Sequence, residues 1–134
     1  MNGSKFAHFG LLAIFVLLAG CESEVVPSKG SRPPTSPAEV KVYQDPPKKY
    51  EILSTIEVPV GGDVRWDEKG DAAPGFEKLK SKAAAVGANG ILLAADNPST
   101  PLVVAGYNGT FYRVPLRSGN PSVGMAKAIY VLKE

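Results

Sequence analysis

The chain has 134 residues, with 15 Lys and Arg against 13 Asp and Glu, one histidine and one cysteine. A formal net charge of +2 lacks the strongly basic face that nucleic-acid binding calls for. A single cysteine excludes any disulfide within the chain.

Lys5 precedes an apolar run from Phe9 to Gly20, and the small residues Ala19 and Gly20 come immediately before Cys21. Charged end, apolar middle and small-residue cleavage site follow in the order of a secretory signal. As a helix the run would be only about 18 Å long, whereas a bilayer core needs about 30 Å. It therefore reads as a signal to be removed, over residues 1–20, rather than a permanent span. Leu18-Ala19-Gly20-Cys21 resembles the lipobox of bacterial lipoproteins. The resemblance implies cleavage between Gly20 and Cys21 and acylation of Cys21, palmitate included. Membrane lipid is then the first partner. Several acyl chains, at about 0.8 kcal/mol per buried CH₂, make a firm anchor. Glu22 rather than aspartate after the cysteine implies the outer membrane, facing the periplasm. Removal of residues 1–20 also removes His8, the one histidine.

Residues 21–38 hold Pro27, Pro33, Pro34 and Pro37 among Ser, Gly, Lys and Glu. This composition predicts a disordered tether that reaches roughly 50 Å when fully extended. The globular domain is expected over 39–134, long enough for one small core. Two strands open it, over 39–43 and 50–58. In the second, Tyr50, Ile52, Ser54, Ile56 and Val58 are predicted to share one face, with Glu51, Leu53, Thr55 and Glu57 on the other.

A charged, turn-rich stretch over 61–75 follows, containing Asp63, Asp67, Glu68 and Asp71 but not the ligand spacing of a calcium loop. Asp71 as cap, or Pro74 in the first turn, predicts a helix with Phe76, Leu79, Ala83 and Val86 as its apolar stripe, ending at Gly87. The run over 90–95 reads as a buried strand. Asn108-Gly109 predicts a tight hairpin between two β-prone arms. The stretch 117–124 reads as an exposed loop, and a closing strand is expected over 126–132.

Taken together, "VKVYQDPPKKYEILSTIEV", "LKSKAAAVGANGILL" and "AKAIYVL" resemble the globular domain of the RcsF-type stress-sensor lipoproteins. More distantly, they resemble the YbjQ-type domains labelled as heavy-metal binders. The resemblance implies an α+β fold, a small, mostly antiparallel sheet of about five strands with one main helix packed on it. It carries over no catalytic residue. The RcsF type has four cysteines in its domain and residues 39–134 have none, so disulfide sensing of that kind is excluded. Soft-metal binding is disfavoured too, because the domain offers neither thiolate nor imidazole.

These features point to a non-enzymatic envelope interaction or stress-sensing module, whose partner is an envelope membrane protein or the cell wall. Trp66, Arg117 and Asn120 are the candidate contacts. The alternative is a periplasmic domain that binds a small ligand or an ion, in oligomeric form if it follows the YbjQ type. No cofactor, metal site or catalytic constellation is legible in the residues.

Overall fold

Branched and aromatic residues concentrated near 50–58 and 126–132 become the two longest strands, and these pair with each other. The structure is a computed structural model and describes residues 22–26, 30, 32–60 and 74–134. In chain order it contains β1 (Glu24–Val26), a 3-10 turn (Pro37–Glu39), β2 (Lys41–Tyr43) and β3 (Lys49–Pro59). After these come α1 (Pro74–Ala85), β4 (Gly90–Leu92), β5 (Leu102–Tyr107), β6 (Thr110–Arg117) and β7 (Asn120–Lys133). The strands form one sheet in the order β1-β3-β7-β4-β2, with the β5–β6 hairpin joined through β6 to β7. The fold is α+β as expected. The sheet, however, has seven strands among the described residues and is mixed, since β1 runs parallel to β3 and β2 parallel to β4. Sequence pattern missed β1 because three residues in a Pro-rich setting show no usable period.

The expected alternation along β3 is broken in the middle. Ile52 pairs with Ile129 and Ser54 with Ala128, which leaves Leu53 as an extra residue in a bulge. An inserted residue reverses the facing of everything beyond it. Tyr50 and Ile52 therefore pack with Leu92 and Ile129 on one face of the sheet, while Leu53, Ile56 and Val58 pack with the helix on the other. The single-face assignment of residues 50–58 is corrected accordingly.

Pro74 opens α1, and Gly87 follows its end with φ +80°. Phe76, Leu79, Ala83 and Ala84 are buried against the sheet, but Val86 is 38% exposed and does not extend the stripe. The β5–β6 turn has φ +50° at Asn108 and +76° at Gly109, the left-handed pair that a two-residue hairpin requires. The hairpin leans over the N-terminal part of the helix. There the Tyr107 ring stacks on Phe76 at 4.8 Å and the Tyr112 ring lies 5.4 Å from it. The stretch 117–124 is a second hairpin rather than a loop, with β7 beginning at Asn120.

Among the described residues of the segment expected as a tether, several contact the domain. β1 pairs with β3, Thr35 N–H donates to Ala84 O at 2.9 Å, and Arg32 Nη2 meets the Glu51 carboxylate at 3.0 and 3.1 Å. Glu51 is 2% exposed, and a charge so deeply buried calls for a partner. Composition argued for disorder because it counted apolar area alone, and this stretch is held mainly by hydrogen bonds and an ion pair.

Candidate functional site

On the face of the sheet away from the helix, strands β3 and β7 expose Thr55 and Glu57 beside Lys127 and Met125, paired in register. The chain after β4 and the end of β6 rise on one side and enclose a cleft of about 280 Å³. Met125, Ala94 and Leu116 supply its apolar surface. Its charged groups come as two ion pairs of opposite build, beside the uncharged Thr55, Asn97, Thr100 and Ser118. Arg117 Nη1 lies 3.4 Å from Glu57 Oε2, and Lys127 Nζ lies 2.6 Å from Asp96 Oδ1. Each pair joins a floor residue to a wall residue, so both signs of charge line the cleft and sum to zero.

Of the residues singled out from sequence, Arg117 lies in the wall of this cleft. Asn120 does not line it. Its Oδ1 accepts the Ser122 N–H at 3.1 Å, a local turn contact that starts β7. Gly20, Cys21 and Trp66 lie outside the described residues, as does the acidic cluster from Asp63 to Asp71. Sequence reading missed Glu57, Asp96 and Lys127. They come from three separate elements and share no local spacing. The one available signal was charge at Glu57 and Lys127, each flanked by apolar residues in its strand.

A second, shallower depression of about 190 Å³ lies at the end of the sheet where β2 begins and β7 finishes. There Glu134 Oε1 accepts hydrogen bonds from Lys41 Nζ at 2.6 Å and Tyr43 Oη at 2.8 Å. Burial, and then the hydrogen bond and charge of Glu134, push the Tyr43 hydroxyl up to about 12. Lys41 and Tyr43 together hold the Glu134 carboxyl below its ordinary value. Asn89, in the turn after α1, spends its side-chain amide on Val131, accepting the N–H at 2.7 Å and donating to the carbonyl at 3.3 Å.

Near the helix start, Tyr107 Oη donates to Glu77 Oε1 at 2.7 Å and accepts from Lys80 Nζ at 3.1 Å. Burial, followed by the Glu77 hydrogen bond, raises the Tyr107 hydroxyl above its ordinary value. A nucleophile requires the opposite displacement. No group of three or more His, Cys, Asp or Glu side chains assembles among the described residues in a way that could hold a metal ion. Nor is any described helix long and apolar enough to cross a membrane. No protein-family model, curated protein or solved structure matches the chain.

Proposed function

We propose that the protein is a bacterial lipoprotein anchored through acylated Cys21, acting as a non-enzymatic binding module of the cell envelope. The observation that carries this reading is Leu18-Ala19-Gly20-Cys21 directly after a short apolar run. Glu24 opens β1 three residues after Cys21, and three extended residues reach about 10 Å. The anchor then holds this edge of the sheet at the lipid headgroups, close enough to contact an envelope membrane protein. The 280 Å³ cleft favours the second reading, a domain that binds a small ligand, and the two are compatible in one molecule.

Intact mass measurement of the protein extracted from membranes tests the anchor. The expected product begins at a triacylated Cys21, and Cys21→Ser abolishes both the acylation and any membrane-partner crosslink that depends on it. An unmodified Cys21 in the wild-type protein would overturn the reading.

A further inference from the structure

The cleft with two ion pairs has a charge pattern that selects among small ligands. A simple anion meets Glu57 and Asp96, a simple cation meets Arg117 and Lys127, and a purely apolar molecule leaves all four groups without water. What fits is a molecule carrying one charge of each sign. Its ends must also match the spacing of the floor. Thr55 stands opposite Lys127 and Glu57 lies two residues further along β3. With a rise of about 3.3 Å per residue and strands about 4.8 Å apart, the Cα atoms of Glu57 and Lys127, from which the two charged side chains rise, are separated by roughly 8 Å. A free amino acid is too short for this. A dipeptide, extended at about 3.5 Å per residue, spans about 7 Å between its ammonium and its carboxylate.

We propose that this cleft binds a short peptide with free termini, of about dipeptide length, its ammonium at Glu57 and its carboxylate at Lys127. This rests on reading the cleft as a binding site and does not depend on the lipid anchor. Arg117 and Asp96 then close from the walls over the peptide backbone. The Glu57–Arg117 pair opens at little cost, because its two side chains are 41% and 54% exposed and the contact is long at 3.4 Å. Met125, an adaptable side chain, and Leu116 receive an aliphatic side chain of the ligand. The volume lies just below the range of about 300–1,000 Å³ typical of drug-sized sites, which suits a ligand this small.

The test is calorimetric titration of the full chain, extracted in detergent, with alanyl-leucine. Its N-acetylated form, its amidated form and free leucine serve as comparisons. Saturable binding is expected for the free dipeptide, with at least a tenfold loss for either blocked form and for leucine. Glu57→Gln and Lys127→Met should each weaken binding about tenfold, while the exposed Lys48→Gln changes charge elsewhere and leaves it unaltered. Blocked peptides or leucine binding as tightly as the dipeptide would overturn the assignment. So would the absence of binding at about 10 mM, beyond which affinity is negligible. If that absence coincides with a triacylated Cys21 by mass, the peptide site fails and the anchored-lipoprotein reading stands.

Discussion

Arg32 works on two surfaces at once. Its guanidinium takes both oxygens of Glu51 and lies 3.7 Å from the centroid of the Tyr130 ring, so one side chain neutralises a buried charge and covers an aromatic face. Glu51 opposes Tyr130 across β3 and β7, which puts the carboxylate on the helix side of the sheet. Truncation of Arg32 leaves that carboxylate buried and alone. Arg32→Ala is expected to cost about 3 kcal/mol in urea unfolding, and Arg32→Met with Glu51→Leu should recover most of the loss. An unchanged midpoint for Arg32→Ala would show that Glu51 finds solvent some other way. Tyr43 makes a second, pH-dependent prediction. Its hydroxyl rises from 10.0 to about 12 in the folded protein, so the folded state binds more protons than the unfolded state between these values. The associated stability is complete below pH 10 and is lost as pH rises through 12. In Tyr43→Phe the alkaline fall in thermal midpoint should be shallower than in the wild type.

Among the connecting elements, two glycines with nearly the same backbone conformation do different jobs. Gly109, at φ +76°, closes the β5–β6 hairpin with nothing within 4 Å of where a Cβ would stand. Gly87, at φ +80°, ends the helix where a Cβ would lie 2.5 Å from Arg32 Cβ and 2.8 Å from the Pro33 carbonyl. Gly109→Ala therefore costs only the left-handed backbone penalty, about 1–2 kcal/mol. Gly87→Ala adds a collision with backbone and should cost about 3 kcal/mol or more, because the 32–35 segment must shift off the helix end. Chemical denaturation of the two variants side by side checks the difference. Equal losses would mean that the contact between this segment and the helix contributes nothing. Both glycines were legible as turn formers, the first from Asn108-Gly109 and the second from its place after an amphipathic run. The close approach at Gly87 was not legible, because it depends on a segment more than fifty residues earlier in the chain.

For the whole molecule, the segment before β2 is built partly into the sheet, through β1. A free Pro-rich tether would let the domain range over tens of ångströms, whereas β1 is paired with β3 at the edge of the sheet. The cleft lies on the face of the sheet opposite the helix, and its four charged residues are held by strands β3, β6 and β7 and by the chain after β4. Local pattern determined much by itself. It supplied the helix near 74–85, the Asn108-Gly109 hairpin and the long strands, all features encoded by residues within a few positions of one another. Only the tertiary structure decided the parallel pairings of β1 and β2, the Leu53 bulge that turns Ile56 and Val58 towards the helix, the burial of Glu51 beneath Arg32, and the cleft. The physical reason is one of range. Periodicity and turn chemistry act between near neighbours, while strand order, register and the meeting of Glu57 with Arg117 or Asp96 with Lys127 depend on contacts between distant parts of the chain.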